Sequence, residues 1–544
     1  MKQPCDEAVI RANPRSIPCG PQLALWVLTA TIIGSSMAFI DGTVVNVALP
    51  ALQSSLNATV VDVQWVVESY GLFLSALILV GGALGDSFGR RTVFLIGTGL
   101  FALASIGCAL SSSVLQLIIA RSVQGIGAAA LVPSSLAIIS ASFDEQSRGR
   151  AIGTWSGFTA ITTALGPVIG GWLIEHASWH WVFLINVPLA AAVVVISLYH
   201  VPESRDPDGQ RIDWLGAPLG TLGLAGLVYG FVESTRLGWS SPLVVAGLVA
   251  GFIGLLLFVF VEWRVAAPMV PLALFKSRAF SGANLLTLLL YGALGSFFFF
   301  FPLNLIQIQR YSATTTGAAL LPTILLIFLL SRWSGGLVAR YGPRPPLIAG
   351  PIVVALGFVL FTLPSVNDNY WTTFFPAFVV LGLGMAISIA PLTTVVMDSV
   401  EDSRVGTASG INNAVARVAG VLAIAILGNV MVQAFSSTLM KSIAALGLPS
   451  GVVHEIQGEA IKLGDLAVPL SPDAATTATI RVDISRAFVF GFRLVMIICA
   501  CLAIASAAVA MTMIPSKQSH QPDHTTDNAL RVKPESSAAK YARD

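Results

Sequence analysis

Long apolar runs separated by short polar stretches recur from residue 23 to residue 513. A helix needs about 20 mostly apolar residues to cross the hydrocarbon core of a bilayer. By that measure the pattern predicts fourteen spans, near 23–49, 64–85, 93–111, 114–139, 151–174, 180–200, 214–233, 242–262, 279–301, 315–338, 345–364, 372–397, 406–432 and 487–513. An even number puts both tails on one side. The first run is too long for a signal-peptide core and has no small-residue cleavage site behind it, so it reads as an uncleaved insertion signal. The stretch from 433 to 486 mixes polar and apolar residues and predicts a small helical hairpin outside. The polar stretch from residue 517 onward predicts disorder.

Composition agrees with an all-helical integral membrane protein. The chain has 544 residues, 55% hydrophobic and 11% charged, with a mean hydropathy of +0.80, against about one charged residue in four for soluble domains. Net charge is +2 and the basic residues form no stripe, which excludes a nucleic-acid partner. They do set orientation. Arg90, Arg91, Arg148, Arg150, Arg205, Arg211, Arg264, Lys276, Arg278, Arg340, Arg344 and Arg404 fall on one side, and only Arg236 and Arg310 lie in the short loops of the other. The first side is therefore read as cytoplasmic, with both termini there.

The five cysteines lie in tails or apolar runs and read as packing residues. His176 and His180 sit at a tryptophan-rich membrane interface and read as anchors, so no metal site is expected. No phosphate-binding loop, CxxC pair or Ser-His-Asp set stands out, which argues against ATP hydrolysis, a cofactor or catalysis.

Two stretches suggest internal duplication. "GGALGDSFGRR" at 81–91 and "GGLVARYGPRPP" at 335–346 are Gly-rich, Arg-bearing turns between spans, about 250 residues apart. The simplest partition is a tail at 1–22, a six-helix bundle at 23–200, and a linker with two extra helices at 201–278. A second six-helix bundle follows at 279–513 and includes the 433–486 segment, and a tail closes the chain at 514–544.

Four sets of residues carry candidate chemistry. In the first turn Gly82 and Gly89 permit close approach, and Asp86 can meet a helix N-terminus or an arginine such as Arg150, with Arg90 and Arg91 beside it. A tight turn whose charges merely set topology is the plainer reading. Arg121 lies inside an apolar run, where an arginine costs at least about 2.5–3.5 kcal/mol, so it faces a partner or cavity unless it snorkels outward. Asp41 in the first span is either paired or neutral. At 1.5 Å per residue, Asp41 lies roughly 12 Å, Arg121 roughly 10 Å and Glu68 roughly 6 Å from the outer ends of their spans. The three are expected to serve one cavity, with Asp41 titrating and Glu68 at its outer mouth. Gly166, Pro167, Gly170 and Gly171 predict a kink with close packing. The run Phe297 to Phe301, with Met385, Trp333 and Tyr291, is a candidate apolar cavity lining, or equally lipid-facing packing.

These stretches resemble the motifs of the major facilitator superfamily. "GGALGDSFGRR" is similar to its signature turn G-x-L-x-D-[RK]-x-G-R-[RK], with Ser87 at a usually basic position and Ala339 in place of the acid in the second copy. "LIIARSVQGIGAAA" from Leu117 looks like its fourth-helix motif. "LGPVIGG" from Leu165 resembles the exporter motif G-x-x-x-G-P-x-x-G-G, with Thr162 for the first glycine. "FIDGTVVNVALP" from Phe39 is similar to the first-helix motif of the fourteen-helix drug:proton antiporters, the EmrB and QacA types. Further family-like stretches begin at Ser178, Arg211, Pro268 and Gly406.

The resemblance implies a major facilitator fold of two six-helix bundles plus two extra helices. It also implies export of drug-like amphiphiles in exchange for protons across a bacterial cell membrane, with the first turn latching the halves and the fourth-helix motif coupling the proton. A dedicated exporter of one metabolite, antibiotic or lipid is an alternative that the residues do not separate from this, and an uptake symporter is a further one. Some members in double-membrane bacteria work with a periplasmic adaptor, for which 433–486 is the candidate docking segment.

Overall fold

In a bilayer every backbone polar group has to be satisfied within the chain, and helices do this segment by segment. The computed structural model, which describes residues 21–143, 145–205, 213–265, 268–401, 405–468 and 474–516, is accordingly helical throughout. The amino-terminal tail, Arg211, Arg404 and nearly all of the carboxy-terminal tail lie outside the described residues.

The long helices of the first half are α1 (Pro21–Ser55), α2 (Val60–Phe88), α3 (Arg90–Ala109), α4 (Val114–Ser142), α5 (Glu145–His176) and α6 (His180–His200). Two more follow, α7 (Gly216–Leu237) and α8 (Pro242–Arg264). The second half has α9 (Arg278–Leu303), α10 (Leu321–Tyr341), α11 (Arg344–Leu360), α12 (Phe375–Asp398), α13 (Val405–Ala444) and α14 (Ala474–Met513). Among the described residues, twelve stretches are long and apolar enough to cross a membrane. The two remaining expected spans are helices as well, but α11 has only 17 residues, and α7 carries five glycines with Glu233 and Arg236 near its end.

The stretch expected to be an outer hairpin is shorter than its sequence suggests. Helix α13 runs on to Ala444 and α14 starts at Ala474, leaving a helix Ser450–Glu459 and a tight turn Ala460–Asp465 between them. Leu463 of that turn and Leu466 just after it are buried in the main core.

The two sets of six helices pair in the same order. Helix α2 packs on α4, α3 on α4, α1 on α5 and α6, and α3 on α6. In the second set α10 packs on α12, α11 on α12, α9 on α13 and α14, and α11 on α14. The contacts between the sets, α2 with α13 and α5 with the helix Ala313–Ala319 that leads into α10, are equivalent under the same correspondence. Helices α7 and α8 pack on each other, and α7 leans on α2 and α13. The turns from α2 to α3 and from α10 to α11 each pivot on a positive-φ glycine, Gly89 at 114° and Gly342 at 79°, a backbone state that favours glycine.

We call the side bearing the Arg90–Arg91 turn the inner side. Between described residues, the hydrogen bonds that join the two halves directly lie toward the outer side. Gln307 Nε2 donates to Gln53 Oε1 over 3.0 Å, Gln53 Nε2 to the Lys462 carbonyl over 3.0 Å, and Gln64 Nε2 to the Ile424 carbonyl over 3.1 Å. Thr314 donates to Glu175. Helices α5 and α10 show the contrast along their length. At the outer end a Cβ on Gly171 would lie 2.2 Å from the Ala313 carbonyl oxygen, whereas Gly149, Gly153, Gly157, Gly335 and Gly336 toward the inner end have nothing within 4 Å. This conformer is closed outside and splayed inside.

Candidate functional site

Arg121 and Gln124 are three residues apart on α4 and so share a face. That face meets α1 at Asp41, and the three side chains are wholly buried or within 1% of it. Arg121 Nη1 ion-pairs with Asp41 Oδ2 and also donates to Gln124 Oε1 over 2.6 Å. Gln124 Nε2 in turn donates to Asp41 Oδ1 over 2.9 Å and to Ser105 Oγ of α3 over 2.9 Å. Asn186 of α6 completes the cage, its Nδ2 lying 3.2 Å from Asp41 Oδ1. The carboxylate therefore accepts from three donors on two other helices.

The guanidinium has two further partners on α2. Its Nε donates to the Val66 carbonyl over 3.1 Å, a carbonyl oxygen having a second lone pair besides the one used by its helix. Its Cζ stands 4.2 Å from the centre of the Tyr70 ring, within cation–π range. Tyr70 is held by its own hydroxyl, which donates to the Ala38 carbonyl over 3.1 Å. One ion pair thus ties together α1, α2, α3, α4 and α6.

The arrangement has a chemical consequence. Protonating Asp41 would cancel one charge of a buried pair and leave the other, a situation worth about 3–5 kcal/mol in proteins where a buried partner has been removed. Arg121 would then need a new partner or water. The packing of these five helices thus converges on one matched pair of buried charges.

Glu68 is not part of the cage. It is fully buried on the α2 face that meets α13, and both its carboxyl oxygens lack a hydrogen-bond partner. An open position at an outer mouth, as the depth estimate suggests, does not describe it, because α13 covers that face in this conformer.

The kink residues lie where α5 crosses α1 and the lead into α10. A Cβ on Gly166 would come within 2.3 Å of Thr43 Oγ1, and one on Gly170 within 2.1 Å of Val44 Cγ2. A Cβ on Gly317 would lie 2.1 Å from the Pro167 carbonyl oxygen. Thr162, standing where the exporter motif has its first glycine, donates to Ser36 Oγ of α1 over 2.9 Å.

At the inner turn, Gly81 and Gly85 bring α2 against α4, and Gly82 faces Pro133 of α4 at 3.7 Å. Asp86 pairs across 2.8 Å with Arg90, the first residue of the next helix α3, and not with Arg150. The splayed inner side separates the halves that such a latch would join. Arg91 Nη1 donates to the Val201 carbonyl over 3.0 Å. Glu203, which the sequence reading passed over, caps α3 by accepting from the Arg91 and Thr92 amides at 3.0 Å each.

Four of the five residues of the phenylalanine run are core and not cavity lining, and Phe298 is half-buried against them. Phe297, Phe299, Phe300 and Phe301 are completely buried, with Phe297 4.8 Å from Phe361 and Phe301 4.9 Å from Phe378. Met385 is buried as well, while Trp333 is 54% exposed. His176 and His180 stack on Trp172 and Trp179, at 5.0 and 3.8 Å.

Residues 31–424 match the sequence profile of the Major Facilitator Superfamily. The chain belongs to that superfamily. It is 34% identical over 443 residues to the multidrug resistance protein Stp of Mycobacterium tuberculosis, covering 80% of this chain and 81% of that one. It is 32% identical to the tetracenomycin C resistance and export protein of Streptomyces glaucescens, with 78% of each chain covered. A solved bacterial homologue of the human lysosomal transporter Spinster, in an inward-facing and unoccupied conformation, shares the fold at a TM-score of 0.61 and 16% identity. The match covers 90% of this chain and 98% of that one. This member of the superfamily is a multi-pass membrane transporter and not an enzyme.

Proposed function

We propose that the protein expels drug-like or amphiphilic small molecules from the cell in exchange for protons, by alternating access across the cell membrane. The buried Asp41–Arg121 pair carries this reading, because it is the place in the first half where one proton would rearrange five helices. The relatives named for drug resistance and antibiotic export favour the outward direction. In this reading α7 and α11 span the membrane along with the other twelve stretches, giving fourteen spans of the EmrB and QacA kind with both termini in the cytoplasm.

With the outer side closed and the inner side splayed, a substrate enters from the cytoplasm while Asp41 is held as a carboxylate by Arg121, Gln124 and Asn186. Opening outward breaks the Gln53–Gln307 and Gln64–Ile424 bonds and separates Gly171 from Ala313. Proton binding at Asp41 from the outer side releases Arg121 and lets the outer side close, and loss of that proton to the cytoplasm restores the Asp41–Arg121 pair of the present arrangement. Proteoliposomes with an imposed pH gradient test the reading. Substrate should accumulate against its own gradient only when the gradient is present, and uphill accumulation without one would overturn exchange with protons.

A further inference from the structure

Glu68 occupies a place that the exchange at Asp41 leaves unexplained. It lies one turn below Gln64 and one turn above Gly71 on α2, with Ser75 following on the same face. That row meets α13, because Gln64 bonds the Ile424 carbonyl and a Cβ on Gly71 would sit 2.8 Å from Val421 Cγ2. Glu68 is thus enclosed in the seam between the two halves, on its outer portion.

Charged and titratable groups on the elements around α2 are engaged elsewhere or lie at another level. On α4 and α1, Arg121 and Asp41 bond each other. On α7, Glu233 pairs with Arg236 at 2.8 Å and accepts from Trp65 Nε1 at 2.9 Å. On α13, Arg417 lies a turn inward of Val421 with its Cζ 5.9 Å from the Phe39 ring, and Lys441 is exposed at the outer end. On α3, Arg90 pairs with Asp86 and Arg91 bonds the Val201 carbonyl, while Cys108 lies by Gln124. In the outer turn Lys462 pairs with Glu459 and bonds Asn57 Oδ1, and Asp465 is exposed. On α2 itself Asp62 accepts from Thr59 at the helix start and the Tyr70 hydroxyl is taken by Ala38, while Tyr229 of α7 lies against Trp65. None of them hydrogen-bonds or ion-pairs with Glu68.

An ionised carboxylate cannot remain in such a place, since burying an unpaired charge costs far more than burying the neutral acid. In this conformer Glu68 has to carry its proton. Moving α2 away from α13 would admit outer water to the carboxyl and let it ionise. We propose that Glu68 is a second proton-binding group, which must take one proton from the outer solution before the seam can close. The step is a simple transfer, from water at the outer face to the Glu68 carboxylate. It deepens the proton-exchange reading and rests on it only for its use in transport, since the coupling of proton to seam is a property of the protein alone.

The test is the outer opening as a function of pH, read by spin labels on Ser112 and Ala445, exposed positions on opposite halves, in the full-length protein in lipid nanodiscs. In the wild type the open-to-closed ratio should rise with pH, approaching about tenfold per unit where one proton is linked. Glu68→Gln should stay closed at all pH values, Glu68→Asp should keep the dependence, and Asp41→Asn should not abolish it. A Glu68→Gln protein with the wild-type pH dependence would overturn the proposal while leaving exchange at Asp41 standing. Loss of proton exchange in transport, with the seam still titrating through Glu68, would instead overturn only the transport reading.

Discussion

Gln307 Nε2 of the second half donates to Gln53 Oε1 of the first over 3.0 Å, and Gln53 passes the connection on to the Lys462 carbonyl. Beside the bonds from Thr314 to Glu175 and from Lys462 to Asn57, neutral side-chain amides thus help to close the outer side. Such bonds contribute about 0.5–1.5 kcal/mol each, strong enough to favour closure and weak enough to be undone in a transport cycle.

Gln53→Ala removes both bonds and leaves a buried amide donor on Gln307 without its acceptor. The balance should shift toward outer opening by about 1–3 kcal/mol, the usual cost of an orphaned buried group. The label distance across the outer face would lengthen. An unchanged distance would show that closure does not depend on this residue.

Gly171→Val should act on the same closure through α5. Its added carbon atoms meet the backbone of Ala313, starting 2.2 Å from the carbonyl oxygen, and backbone cannot step aside as a flexible side chain can. Export should fall at least tenfold with normal membrane insertion, and outer thiols should become more reactive. Gly153→Val, placed on the same helix where nothing lies within 4 Å in this conformer, is the matched control for outer closure and should leave the reactivity of outer thiols unchanged.

The Asp41–Arg121 pair should be visible in stability without any substrate. Arg121→Gln leaves Asp41 buried without its counter-charge and should destabilise the protein by about 3–5 kcal/mol. Adding Asp41→Asn should recover part of that loss, because the second change removes the orphaned charge. Thermal unfolding of the two single variants and the double variant checks this, and simple additivity would speak against a direct pair.

Phe301→Ala separates core from substrate lining. A wholly buried ring in contact with Phe361, Phe374 and Phe378 should cost about 3–5 kcal/mol on truncation. The pattern of substrates handled by the surviving protein should not change. A selective change in substrates at normal stability would return this residue to the binding surface.

Helix positions and the need of Asp41 and Arg121 for a buried partner were legible in the sequence for one physical reason: apolar length and the expense of charge in a bilayer are both local properties. The partners were not, because Ser105, Asn186 and Tyr70 come from three other helices. Gln124 alone carried a signal, being a polar residue three positions after Arg121 in an apolar run. The phenylalanine run misled because every face of a membrane helix can be apolar, so hydrophobicity does not distinguish core from cavity or lipid. Asp86 was expected at a latch between halves and is found beside Arg90, since its partner depends on which side of the protein is open. Glu203 escaped notice because a cap is defined by backbone amides 111 and 112 residues away.

Proton movement in inside-out vesicles carrying the protein, followed with a pH-sensitive dye while lipophilic cations, neutral drugs and candidate metabolites are added, bears most directly on the exchange. Substrate-dependent proton release that disappears in Asp41→Asn is the expected result. Release that persists undiminished in Asp41→Asn, from protein shown to be folded and inserted, would contradict the role given to the Asp41–Arg121 pair.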